Sequence, residues 1–146
     1  MAVLYPSQEW CDEWKKAIND SQAVAETGKN WGADFNGSWL FEIQPGGGLE
    51  KTSYVYLDAK NGKCTDARLL QDPSGVNPGF HATGSCVEYK EVVKGKKDFI
   101  EGVMKGTFKI KGDMSSIMRN AKFIRAVANS ISSFSATYLG ESGHFL

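Results

Sequence analysis

Residues Asp98 to Ile131 read DFIEGVMKGTFKIKGDMSSIMRNAKFIRAVANSI, and this run decides the fold. Asp98 to Met104 predicts a short helix that stops at Gly106. Thr107 to Lys111 alternates polar with apolar, the period of a strand with one buried face. Gly112-Asp113 then turns the chain into a longer amphipathic helix, expected from Met114 to about Ser130. Its stripe is Met114, Ile117, Met118, Ala121, Ile124, Val127 or Ala128, and Ile131, widened by Phe123 and Phe134. Plain core is the simplest reading of such a stripe. Met104, Met114 and Met118 concentrate here, however, and methionine suits a surface that repacks around variable shapes. The stripe is also wider than one sheet face covers, so it calls for more sheet, a second subunit or a ligand.

Upstream, Ser7 is placed to cap a first helix in which Trp10, Cys11, Trp14, Ala17, Ile18 and Ser21 recur at spacings of three and four. That helix is expected to end near Gly28. Trp39, Phe41 and Ile43 alternate with Ser38, Leu40 and Glu42, a strand with an aromatic face. Pro45-Gly46-Gly47-Gly48 breaks it. Thr52 to Leu57 is a second strand, apolar on both faces and so interior. Asn61-Gly62 is a hairpin signal leading into Cys64 to Leu70. After the loop 72–79, Phe80 to Gly84 predicts a fourth strand, and Ser85 caps a helix through Val93. The Ser-rich tail, 132–146, is expected to be partly irregular.

A chain of 146 residues fits one domain and buries roughly 68–70% of its unfolded surface. Seventeen basic and seventeen acidic side chains cancel. Residues 1–66 nevertheless carry a net charge of −4 and residues 87–125 a net charge of +5. The basic half is either a solvated lysine face or a surface for phosphate head groups or nucleic acid. Nucleic acid is not advertised. Arginine is scarce, and Lys109 and Lys111 alternate with Phe108 and Ile110, which marks a solvent edge. The three cysteines are widely spaced and form no CxxC, so a reducing, cytoplasmic setting is the expectation. The N-terminus lacks a basic region ahead of its apolar residues and does not read as a signal peptide.

Chemistry-bearing motifs are few. His81 lies in a strand and His144 in the tail, and no spacing suits a metal. A nucleophile built from Cys86 and His81 stays open at this level, against the simpler reading of Cys86 as a small buried hydrophobe. Pro45-Gly46-Gly47-Gly48 joins two strands, which fits a hairpin rather than a phosphate cradle. Trp10 and Trp14, beside Lys15 and Lys16, either sit in a membrane interface or belong to the core.

The segment GVMKGTFKIKGDMSSIMRNAKF resembles the signature of the sterol carrier protein type 2 family. That signature runs from a helix with Met or Leu through Gly, an alternating strand and a Gly-Asp/Asn-Met turn into a helix rich in Met, Leu and Ala. WCDEWKKAIN, YVYLDAKNGKCTDARL and HATGSCVEYKEVVKGKKD extend the likeness to roughly residues 7 to 131. The chain is similar to the small stand-alone prokaryotic members. It departs from the animal carriers in its two first-helix tryptophans and in ending His144-Phe145-Leu146, no evident peroxisomal address.

The resemblance implies an α+β fold with a five-stranded, mostly antiparallel sheet, helices over one face and an apolar tunnel between them. It implies one domain over 1–146, with core 7–131 and tail 132–146. It implies binding, and transfer, of fatty acyl chains, acyl-CoA or sterol-like lipids, with no catalysis, cofactor or metal. Phe108–Ile110 and the helix Met114–Val127 would wall the tunnel, with Phe99, Ile100 and Val103 closing one side. The implied ligand-binding set is Phe99, Ile100, Val103, Met104, Phe108, Ile110, Met114, Ile117, Met118, Ala121, Ile124 and Val127. Lysines such as Lys105 or Lys122 would meet a charged head group. The same fold also serves inside larger enzymes. A dimerising or partner-binding accessory module for a lipid-metabolising enzyme is therefore the alternative, with transient membrane contact and a homodimer as further expectations.

Overall fold

The computed structural model describes residues 2–141. In chain order its elements are β1 (Val3–Tyr5), α1 (Gln8–Asp20), α2 (Gln22–Thr27), β2 (Trp39–Gln44), β3 (Ser53–Lys60), β4 (Lys63–Leu70), β5 (Phe80–Ser85), α3 (Cys86–Val93), α4 (Phe99–Met104), β6 (Lys109–Lys111), α5 (Met114–Arg119), α6 (Ala121–Asn129) and β7 (Ala136–Tyr138). A five-stranded sheet has the order β4-β3-β2-β5-β6. Only the β2–β5 pairing within it is parallel. The expected α+β class and mostly antiparallel sheet are therefore what the chain builds.

Period-two alternation sets the faces of the sheet. Register places Phe41 beside Val55 on one side and Ala82 on the other. Trp39, Phe41, Ile43, Val55, Leu57, Phe80 and Ala82 thus share the inner face, which the helices cover. The outer face carries polar pairs. Glu42 meets His81 Nε2 at 3.0 Å, and the Arg68 guanidinium lies over the Tyr56 ring at 5.4 Å.

Side-chain oxygens start the helices where the sequence places them. Ser7, Ser85 and Asp98 accept from the backbone N–H groups of Trp10, Glu88 and Glu101. Each satisfies a donor that has no partner inside the helix. The first helix is shorter than expected. Ser21 leaves helical geometry and accepts from Val24 N, so α2 starts afresh. The long final helix is likewise two helices. Asn120 adopts φ −111° and ψ 25°, ending α5 and opening α6. The strand predicted from Thr107 pairs only over Lys109–Lys111.

The tail also departs from expectation. Ser130–Ser133 forms a 3-10 turn, and β7 pairs in parallel with β1, a strand that sequence patterning missed. Leu139 N donates to the Tyr5 carbonyl, and Leu139 is fully buried. Lys90, itself only 7% exposed, donates to the Gly47 and Leu139 carbonyls at 3.1 and 3.0 Å. Lys94 binds both carboxylate oxygens of Glu141 at 2.8 and 2.9 Å. Gly140 lies so near the Gly47 carbonyl that a Cβ would come within 1.8 Å of its oxygen. Two lysines of α3 and its cap thus clasp the tail to the glycine hairpin. His144 lies outside the described residues.

The free edge of β4 is closed by side chains of α1. Asn19 exchanges two hydrogen bonds with the backbone of Cys64, at 2.9 and 2.8 Å. Gln8 donates to the Ala67 carbonyl and accepts from Leu69 N at 3.2 and 2.9 Å. Each amide supplies the donor and acceptor that a neighbouring strand would have supplied. An open strand edge invites pairing with another chain, and this one is covered.

Candidate functional site

Between the inner sheet face and the helices lies an apolar cavity of about 70 Å³. Its floor is Trp39 and Phe41 of β2 with Val55, Leu57 and Ala59 of β3. Trp10 and Trp14 of α1 form one wall, and Tyr89, Val92, Val93 and Phe99 form the opposite one. Phe123, Ile124 and Val127 of α6, with Ile131, make the roof, and Tyr5 closes an end. Aromatic rings set much of this shape. Trp39 stacks on Phe41 and Phe80, with centroids 5.4 and 4.9 Å apart. Trp10 and Trp14 lie 5.0 Å apart on successive turns of α1.

The lining is almost free of polar demand. Trp14 Nε1 donates to the Val127 carbonyl at 3.1 Å, and the Tyr89 hydroxyl donates to the Ala82 carbonyl at 2.7 Å. Burial pushes the Tyr5 and Tyr89 hydroxyls well above their usual range, so both stay protonated and neutral. One group is left over. Trp10 Nε1 is buried with no hydrogen-bond partner.

A groove opens beside the cavity and shares Val92, Val93, Phe99 and Ile131 with it. One bank is the α3–α4 connection, with Lys94, Lys96, Lys97 and Asp98. The other carries Phe134, Ala136 and Tyr138 of the tail. Four apolar side chains therefore separate the cavity from a rim rich in lysine.

The structure divides the implied ligand-binding set. Phe99, Ile124 and Val127 line the cavity. Ile100, Val103, Phe108 and Ile117 are buried in the surrounding core, outside it. Phe108 fills a slot left by two glycines. A Cβ on Gly84 or Gly102 would meet its ring at 2.5 or 2.8 Å. Ile110 and Ala121 are partly buried at the margin of the core. Met104, Met114 and Met118 are 66, 41 and 43% exposed, and of the strand–helix pair named in the sequence only the stretch Phe123 to Val127 reaches the cavity. Lys105 pairs with Glu101, and Lys122 faces a separate shallow groove. Lining residues that the implied set lacked include Trp10, Trp14, Trp39 and Phe41. Their signal was the aromatic face of β2 and the stripe of α1.

Trp10 and Trp14 are 2 and 5% exposed, so they belong to the core and not to a membrane interface. His81 bonds Glu42 on the outer sheet face, whereas Cys86 is fully buried at the start of α3. Burial raises the Cys86 thiol, and it pushes Cys11 up to about 12 and Cys64 up to about 11. Such thiols hold their protons and are poor nucleophiles. Among the described residues no three His, Cys, Asp or Glu side chains gather as a metal set. No described helix is long and apolar enough to cross a membrane.

No family model matches the chain, and no curated protein does. Solved structures do. A crystal structure of sterol carrier protein 2 superposes with a TM-score of 0.78 at 19% identity, covering 88% of this chain and 98% of that one. A Thermus thermophilus protein, named as a candidate sterol carrier, gives 0.78 at 18% identity and covers 90% of each chain. Sterol carrier protein 2 of Yarrowia lipolytica, in its apo form, gives 0.53 at 22% identity, with 82% of this chain and 87% of that one covered. With its sheet order, helical cover and buried cavity in place, the chain has the sterol carrier protein 2 fold.

Proposed function

We propose that the chain binds a lipid-class apolar ligand between the sheet and α6, without catalysing its conversion. The observation that carries this reading is a cavity walled by hydrocarbon and aromatic side chains where the helices cover the sheet. The names of the similar structures support it. Burial of chain methylenes supplies the drive, at about 0.8 kcal/mol each. Phe99, Ile124 and Val127 contact the chain, and a polar head emerges in the adjoining groove beside Lys96 and Lys97. Three free, buried thiols accord with a reducing, cytoplasmic setting.

Native mass spectrometry of purified protein, followed by displacement of a fluorescent fatty acid from delipidated protein, tests the proposal. Retained lipid or saturable, competed binding is expected. Neither lipid nor saturable binding would sink it.

The second reading is a partner-binding accessory module. Its specific support is the exposure of Met114 and Met118, one turn apart on α5. Light scattering across a concentration series tests the homodimer form, for which a monomer at every concentration is the negative result.

A further inference from the structure

Trp10 is 2% exposed, lines the cavity, and is the one described residue whose buried side-chain polar atom lacks a partner. Two other buried tryptophans are satisfied. Trp14 donates to the Val127 carbonyl and Trp31 to the Gly37 carbonyl at 2.9 Å. More than nine in ten buried polar groups are paired in folded proteins, and an unpaired one needs a reason. Water is a poor candidate, because a buried water needs two to four polar partners. The only side-chain oxygens in the lining are the hydroxyls of Tyr5 and Tyr89, and Tyr89 is committed to Ala82.

We infer that Trp10 is a ligand-binding residue, and that its indole N–H donates to a neutral acceptor oxygen, a carbonyl, ester or hydroxyl, carried by the apolar ligand. This rests on the lipid-binding reading of the cavity. A carboxylate is the wrong acceptor, because no cation lines the space and one N–H is small compensation for burying a charge. The oxygen sits near the entrance. The Trp10 ring is 6.1 Å from that of Phe134, which also lines the lysine-rimmed groove. The hydrocarbon then runs inward over Trp39 and Phe41.

The test compares methyl nonanoate with undecane, probes of equal chain length, in wild type and Trp10→Phe. The ratio of the two affinities, compared between the two proteins, cancels the probes' different solubilities. Wild type is expected to favour the ester by about tenfold more than the variant does, the size of one net hydrogen bond. The smaller phenyl ring alters packing against both probes alike, and the ratio removes that shared change. The Trp10 indole N–H resonance of wild type should shift with the ester and not with the alkane, a reading that needs no folded variant. An ester-to-alkane ratio unchanged by Trp10→Phe, with an unmoved resonance, overturns the inference. If neither probe binds wild type, the lipid-binding reading itself fails.

Discussion

Val127 sits in the roof of the cavity with its isopropyl group against the open space. Val127→Phe should fill that space and so separate stability from binding. At about 24 cal/mol per Å³ of cavity, a cavity of 70 Å³ costs about 1.7 kcal/mol of stability. A phenyl ring recovers some of this, and imperfect fit costs about 1–3 kcal/mol. Net stability should therefore stay within about 1 kcal/mol of wild type. Binding has no such offset. Taking about 30 Å³ for a water-sized group, the cavity holds two or three methylenes. Displacing them forfeits about 2 kcal/mol, close to a thirtyfold loss of affinity. Urea denaturation of delipidated protein, followed by tryptophan fluorescence, reads the first quantity. Displacement of a fluorescent fatty acid reads the second. A variant of wild-type stability whose affinity lies within twofold of wild type would refute the reasoning, because the ligand would then lie elsewhere.

Met118→Trp should leave lipid affinity within about twofold, since Met118 is 43% exposed and outside the cavity; a large loss would return the site to α5. Asn19→Ala removes both partners of the Cys64 backbone at the β4 edge. It should cost about 1–3 kcal/mol in a urea melt, and a neutral result would mean that water serves that edge equally well. The Glu141 carboxyl is held below its usual range, chiefly by the hydrogen bond from Lys94. Its folded value lies below the unfolded one, so the stability it adds to the tail clasp is present above the ordinary carboxylate range and lost as pH falls through the depressed value. Hydrogen exchange at the Leu139 amide should accelerate, after correction for intrinsic rate, before global acid unfolding. Protection that persists until the whole protein unfolds would count against the clasp.

The caps, turns and strand faces were legible because each is decided locally. Ser7 and Ser85 need only the next turn of backbone, and Asn61-Gly62 makes its hairpin with both residues at positive φ. The roof of the cavity was not legible. An unbroken helix from Met114 puts Met114, Met118 and Ile124 on one stripe. The break at Asn120 resets the phase between α5 and α6, so no single stripe runs through both, and α5 buries Ile117 while its methionines stay outside. The β1–β7 pair was hidden for another reason. It joins two three-residue segments from opposite ends of the chain, and neither is long enough to show a period. The Trp pair of α1 read equally well as core or interface, because amphipathic spacing names a face without saying what covers it. The matching rings of Trp39 and Phe41 on β2 decide it.

A cavity of 70 Å³ is smaller than any long acyl chain, so uptake of such a chain must move the roof and floor apart, and the bonds show which of them yields. The floor cannot yield cheaply. β2 and β3 are paired over five residues, and a slip of one would turn every inward side chain outward. The roof has fewer polar ties, and its chief apolar tie is Phe123, whose ring lies 5.2 Å from that of Trp31. Its named polar anchors are the Trp14–Val127 hydrogen bond and the exposed Arg125–Asp98 pair at 3.1 Å. The first is worth about 0.5–1.5 kcal/mol and the second about 0–1 kcal/mol. Two or three further methylenes, at about 0.8 kcal/mol each, offset the loss of both. The break in helical geometry at Asn120 frees the start of α6, while at Ser130 the helix tightens directly into the 3-10 turn. The Lys90–Leu139 and Lys94–Glu141 contacts meanwhile hold the tail on the other bank of the groove. If a ligand longer than the cavity binds there, α6 should lift from the sheet and break the Phe123–Trp31 contact, with the tail left in place.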